Sequence, residues 1–211
     1  VLMSAESSTS LWLTAVISLL NQSAKGLSES SESDANLRKP GKSPSQPGES
    51  PRVMSTIVAP STPTGRGAIA IVRLSGNSAF SIAKTLAPEF DNVKARCAHL
   101  VKLRFPESGE VLDECLVTYF PRPHSVTGED VIEISCHGSP AVVRQILDLS
   151  IQNGARLAGP GEFTLRAVSN HKINLAEAEA IRDLIDAQTE AAVKQASRQI
   201  GGELSRALQS F

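Results

Sequence analysis

Three charged residues stand in places where their chemistry could be used. Arg73 ends the apolar run IAIVR, Glu133 lies in the middle of VIEIS, and Lys172 sits in the polar turn NHKIN. An ionised glutamate only accepts hydrogen bonds and can take two parallel N–H donors, the pattern of an aminopyrimidine-type edge. Arginine and lysine suit carboxylate or carbonyl oxygens. The three together form a binding constellation for a polar, flat ligand. The same residue types also make an ordinary structural ion pair between Glu133 and Arg73, and the sequence leaves both readings open.

Other chemistries have less to stand on. The chain contains no G-x-x-x-x-G-K-[ST] phosphate loop, H-E-x-x-H, paired C-x-x-C or G-x-S-x-G. Four histidines, His99, His124, His137 and His171, are dispersed without metal-ligand spacing. Cys136 and His137 are adjacent, but neighbours on a strand point to opposite faces, so a packed thiol is expected rather than a catalytic pair. Neither a catalytic residue nor a metal ligand is assigned.

The elements that must position the constellation follow from periodicity. Strands are predicted at 56–59 and 68–74, separated by the turn-rich PSTPTGRG. Gly65 and Gly67 around Arg66 allow a close backbone approach or simply a turn. Ser75 or Asn77 can cap a helix running to about residue 86, with Ala79, Ile82, Ala83 and Leu86 on one face. A hairpin is predicted from 99–105 and 111–120, with Gly109 in the turn. The Glu133 strand, 131–135, follows a tight turn at Gly128; Ser139 and Pro140 then have the chemistry of an N-cap and first helical residue. The helix over 141–152 turns Val142, Val143, Ile146, Leu147 and Leu149 largely inward and stops at Gly154. A short strand at 156–158 leads into PGEFT. Strands and helices mixed with hairpins predict an α+β domain built on a mixed sheet.

The two ends have a different texture. Residues 28–50 are dominated by Ser, Pro, Glu, Lys and Gly, which cannot offset the entropy of ordering, so 1–53 is expected to be a disordered extension or leader. Within it LWLTAVISLL, at 11–20, has the length of a signal-peptide core but no preceding basic residue, and a weak local helix is expected instead. Beyond Lys172, Asn174 with Glu177 forms a reciprocal N-cap, and an Ala- and Glu-rich sequence predicts one long helix to about residue 200. Its stripe of Leu175, Ala178, Ile181, Leu184, Ile185, Ala192 and Ala196 needs a partner from another chain or from sequence beyond Phe211. Gly201 and Gly202 should break it before residues 204–208 resume.

Composition sets limits on partners and compartment. A net charge of -1 over 211 residues, with 20% charged side chains, gives no basic surplus for nucleic acid. Three cysteines, an odd number without C-x-x-C spacing, argue against a disulfide framework and for a reducing compartment. No apolar run approaches the roughly 20 residues that span a bilayer.

Three motifs in order, TIVAPSTPTGRGAIAIVRLSG, FPRPHSVTGEDVIEISCHGSP and PGEFTLRAVSNHKINLAEAEAIRDLIDAQTEAA, closely resemble the N-terminal part of the tRNA-uridine-modifying GTPases called MnmE or TrmE. The resemblance runs from Met54 to about residue 208 and divides the chain at 1–53, 54–172 and 173–211. It implies, for 54–172, a fold like the tetrahydrofolate-binding glycine-cleavage aminomethyltransferase, binding of 5-formyl- or 5,10-methylene-tetrahydrofolate, and a homodimer contact. By matching motif it carries the family's folate contacts onto Arg73, Glu133 and Lys172. Arg66 and the turn of Gly161, Glu162 and Phe163 become candidate pocket walls.

In that family the helix starting near Leu175 opens a helical domain into which a GTPase domain is inserted. The resemblance therefore implies that 173–211 is the first helix of an incomplete helical domain, and that GTP, magnesium and potassium belong to a GTPase domain absent from these residues. Without a phosphate loop this chain should not hydrolyse GTP alone. The family implies an FAD-dependent partner of the MnmG or GidA type, tRNA as substrate of the complex, no membrane, and a cytoplasmic location, organellar if 1–53 is a leader. The expected reaction adds an aminomethyl-type group to C5 of the wobble uridine. A rival expectation is a non-catalytic homodimerisation module without ligand. Direct RNA binding is disfavoured by the near-neutral charge.

Overall fold

The computed structural model of the chain describes residues 55–201. The expectations for the N-terminal extension, for its 11–20 segment and for a helix resuming at 204–208 lie outside the described residues.

Six strands form one mixed sheet in the order β3-β4-β5-β2-β1-β6. They are β1 (Ile57–Pro60), β2 (Ile69–Ser75), β3 (Ala98–Arg104), β4 (Val111–Phe120), β5 (Val131–His137) and β6 (Arg156–Leu157). All neighbours are antiparallel except β1 with β6, which run parallel. Helices α1 (Ala79–Leu86), α2 (Pro140–Gln152), α3 (Glu162–Ser169), α4 (Leu175–Asp186) and α5 (Glu190–Ile200) complete the α+β arrangement expected from the sequence.

Strand alternation decides which side chains face which layer. Val72, Leu74, Ile132, Ile134, Val117, Val101 and Leu103 point to the face covered by α1 and α2 and are buried. Ala79, Ile82, Ala83 and Leu86 of α1 are buried against them, as their spacing predicts. Ile146 and Leu149 of α2 are buried, with Val142, Val143 and Leu147 packed on the same cluster. Cys115 and Cys136 belong to this core. Burial, then the nearby Asp113 carboxylate, pushes the Cys136 thiol up, and burial pushes that of Cys115 up to about 12. Cys136 Sγ donates to the Ala70 carbonyl at 3.4 Å, the packed thiol that alternation predicts.

Several local expectations are corrected by tertiary contacts. The N-cap of α1 is Ser78, and its side chain makes no cap bond. Ser75 Oγ is instead engaged with Thr127 and Glu129, and Asn77 Oδ1 accepts from Arg122, so neither is available as a cap. Ser139 and Pro140 do open α2, though again without a side-chain cap bond. The GEF residues do not end in a turn: Gly161, left-handed at φ 70, starts α3.

The long helix is two helices, and Ala187 is extended between them at ψ 125. Thr189 explains the break, because its Oγ1 accepts from the Ala192 amide and begins α5 afresh. The Asn174–Glu177 capping box at the start of α4 is present. α4 and α5 pack on each other; Ala178 and Ala180 of α4 and Ala196 of α5 are buried, while Leu175, Ile185 and Val193 remain exposed. No helix among the described residues is long and apolar enough to cross a membrane.

Candidate functional site

The sheet face opposite α1 and α2 carries the charged residues. Register places Ala59, Arg73, Glu133, Thr118 and Ala98 in one row across five strands. Arg73 and Glu133 are direct cross-strand partners, and the Arg73 Nε and Nη2 atoms both donate to Glu133 Oε1, at 2.9 and 2.7 Å. Each side chain is 26% exposed, so the pair is screened but not dry. The ion pair allowed by the residue types is therefore present.

That pairing decides what Glu133 can offer. Arg73 occupies Oε1 with two donors, whereas Oε2 has no hydrogen bond among the described residues. A carboxylate oxygen has two lone pairs, so a ligand with parallel donors either meets Oε2 or takes a bond from Arg73. The Arg73 guanidinium carbon also lies 5.8 Å from the Phe163 ring centroid, near the outer limit of a cation–π contact. Beside it opens a cavity of about 460 Å³ bounded by Ala59, Pro60, Arg73, Gly159, Glu162 and Phe163, among others. The lining joins the Phe163 ring and two prolines to one cation, Arg73, and one anion, Glu162, with Glu133 outside it; such mixed walls suit an aromatic ligand with polar edges.

The structure does not bring all seven predicted residues together. Gly161, Glu162 and Phe163 line the cavity with Arg73. Arg66 is exposed and outside the lining; the 67–68 backbone instead meets Gly138, whose missing Cβ permits the approach, with bonds of 3.0 Å from Gly67 N to Gly138 O and 3.2 Å from Gly138 N to Ala68 O. Lys172 is exposed, and among the described residues it forms no ion pair with Glu133. Its methylene stem lies over Gly128, where an added Cβ would come within 3.2 Å of Cγ. Lys172 is thus tied to the loop that feeds β5, on which Glu133 lies.

Glu162 is a wall whose charge is already committed. It accepts from Arg156 Nη1 at 2.8 Å, from Arg156 Nη2, from the Gly159 amide at 2.8 Å and from Arg166 Nη2 at 3.0 Å. Burial pushes its carboxyl up, but the bonds from Arg156, Gly159 and Arg166 outweigh that and hold it at about 2. Glu162 therefore stays an anion and cannot act as a proton donor near neutrality.

Sequence reasoning missed Arg166 and Glu129. Arg166 is 3% exposed, and its Nη1 donates to both Glu129 oxygens at 2.8 and 3.1 Å. Its signal is the i, i+4 spacing from Glu162, which becomes visible only when the segment is read as a helix. Among the described residues no group of three or more His, Cys, Asp or Glu is placed to hold a metal.

Comparisons with known proteins bear on this geometry. The sequence model of the family described as "GTP-binding protein TrmE N-terminus" matches residues 56–172. The tRNA modification GTPase MnmE of Koribacter versatilis (strain Ellin345) is 49% identical over 157 residues, 73% of this chain and 35% of that protein. Its namesake from Aquifex aeolicus (strain VF5) is 47% identical over 150 residues, 71% of this chain and 33% of the relative. That of Thermotoga maritima is 46% identical over 151 residues, 72% and 33% respectively. The chain spans about a third of the length of these curated relatives.

Proposed function

The chain belongs to the TrmE N-terminal family, and from that premise we propose that it is the folate-binding, dimer-forming part of a tRNA modification GTPase. Its ligand is 5-formyl- or 5,10-methylene-tetrahydrofolate. Glu133 reads the pterin edge through Oε2, Arg73 neutralises the carboxylate and flanks the ring, and Lys172 meets a ligand oxygen. Phe163 and Gly161 wall the slot. The observation that carries this reading is that Arg73, paired with Glu133, lines the cavity beside Phe163, although Glu133 is not one of its walls. In the whole protein the folate supplies the one-carbon unit that a complex with an MnmG-type FAD protein installs on C5 of the wobble uridine. GTP, magnesium and potassium belong to a GTPase domain that these residues do not contain.

A homodimer fits the same sheet face. Leu100, Leu116, Ser135 and Ile71 form the next row across it, and Leu100 and Leu116 are 67% and 43% exposed. A second copy of the chain is the occupant this reading assigns to the row. The same row also favours the rival reading, a dimerisation module without ligand.

Isothermal titration of the 211-residue chain with 5-formyltetrahydrofolate decides between them. The proposal expects binding that Glu133→Ala and Lys172→Ala each weaken by about tenfold or more, the scale of a charged hydrogen bond. Unchanged affinity in both variants removes the assigned site. A dimer by sedimentation with a silent titration establishes the rival.

A further inference from the structure

We propose that Arg166 and Glu129 form a buried latch that fixes α3 on the sheet and so sets where Phe163 and Lys172 stand relative to Arg73 and Glu133. The two groups of interest lie at opposite ends of this short helix: Phe163 in its first turn, Lys172 three residues past its last. One cation between them carries the attachment. Arg166 reaches Glu129 through Nη1 at 2.8 Å and the Ser55 carbonyl through Nη2 at 2.7 Å, as well as Glu162. A planar guanidinium fork can hold three such acceptors at fixed angles, which a lysine ammonium on a flexible stem cannot.

Glu129 passes the attachment on to the two strands of the candidate site. Ser75 Oγ donates to Glu129 Oε2 at 2.7 Å, and Ser75 is two residues from Arg73 on the same face of β2. Glu129 is itself four residues before Glu133 in the chain. The far end of α3 is held to the same loop, because Asn170 Nδ2 donates to the Thr127 carbonyl at 2.7 Å and the Lys172 amide donates to Ala167 O at 2.8 Å. Thr127 Oγ1 closes the circuit with Ser75 Oγ at 2.7 Å. Loss of Arg166 leaves the largely buried Glu129 without its counter-charge, and loss of Glu129 leaves Arg166 the carboxylate of Glu162, which Arg156 already shares, so α3 shifts to rehydrate the remaining charge. Arg166 and Glu129 are positioning residues: neither borders the cavity beside Phe163.

The test uses the 211-residue chain and the substitutions R166M, E129Q and R166K, with I146V as a control that loosens the core away from the latch. Without ligand, hydrogen exchange is expected to quicken by about tenfold or more at both 159–164 and 170–174 in R166M and E129Q, while β2 and β5 amides keep their protection. R166K, which retains the charge, recovers part of that protection. I146V leaves both segments as in the wild type. The ligand arm rests on the folate reading: 5-formyltetrahydrofolate affinity falls by about tenfold or more in R166M and E129Q and stays within about twofold in I146V.

Exchange unchanged at either end of α3 in E129Q overturns the latch, as does an affinity loss in I146V equal to that in E129Q. If R166M does not fold, E129Q and R166K decide the matter, since both keep the side-chain volume closely. If the wild type binds no folate, the folate reading falls and the exchange arm alone rules on the latch.

Discussion

Glu133 and Arg73 separate stability from binding at the level of single side chains. Both are partly solvated, and an ion pair in that setting contributes about 0.2–1 kcal/mol. Glu133→Gln keeps the shape and an acceptor oxygen, so urea denaturation should show a loss below about 1 kcal/mol. On the proposed folate reading, titration of the same variant should show a loss of about tenfold, because the charge assigned to polarise the pterin donors is gone. The three cysteines give a second prediction. Cys115 and Cys136 are buried thiols with raised pKa, whereas Cys97 is half-exposed. A disulfide reagent should label Cys97 first in the native chain and reach the other two only on unfolding. The pairing of Glu133 with Arg73 was legible as a possibility from residue type. That they are direct cross-strand partners was not, because register depends on how β2 and β5 align over their whole length.

Elements bring constraints that no single side chain shows. At Gly138 an added Cβ would stand 2.4 Å from the Gly67 carbonyl oxygen, a backbone atom that cannot swing away. Gly138→Ala should therefore cost about 1–3 kcal/mol as β5 and the 65–67 turn are forced apart, measurable by thermal unfolding. The glycines around Arg66 had suggested a close approach without naming its object, which proves to be the chain itself. α4 and α5 show the opposite problem. Alanine-rich sequence favours helix straight through 187–189, and propensity alone hides the break. Thr189 with the acidic Glu190 after it marks a new start. Thr189→Ala should cost about 1 kcal/mol and raise exchange in the first turn of α5 without affecting the sheet.

At the scale of the whole molecule, acid and association test how the parts combine. The Glu162 carboxyl sits at about 2 against an ordinary 4.5, a lowered value, so its pairs contribute fully above 4.5 and lose that contribution as pH falls towards 2. The stability difference between wild type and Glu162→Gln should thus be constant near neutrality and shrink across that window, read by denaturation at stepped pH. Leu100→Glu with Leu116→Glu should abolish the proposed dimer in sedimentation while leaving the circular dichroism of the monomer unchanged, since both side chains are exposed.

Periodicity and turn chemistry were enough to locate the six strands, the inner faces of α1 and α2, and the capping box at Asn174, because these depend on interactions within a few residues. The motifs around Arg73, Glu133 and Lys172 were equally plain in the linear order. Tertiary structure alone decided that Glu162 is consumed by two arginines, that Arg166 is buried over Glu129, and that Phe163 lies beside Arg73. The contacts of Arg166 with Glu129 and of Phe163 with Arg73 join segments far apart in the chain, while the arginines around Glu162 are near in sequence but meet it only once 162–169 is helical and packed on the sheet.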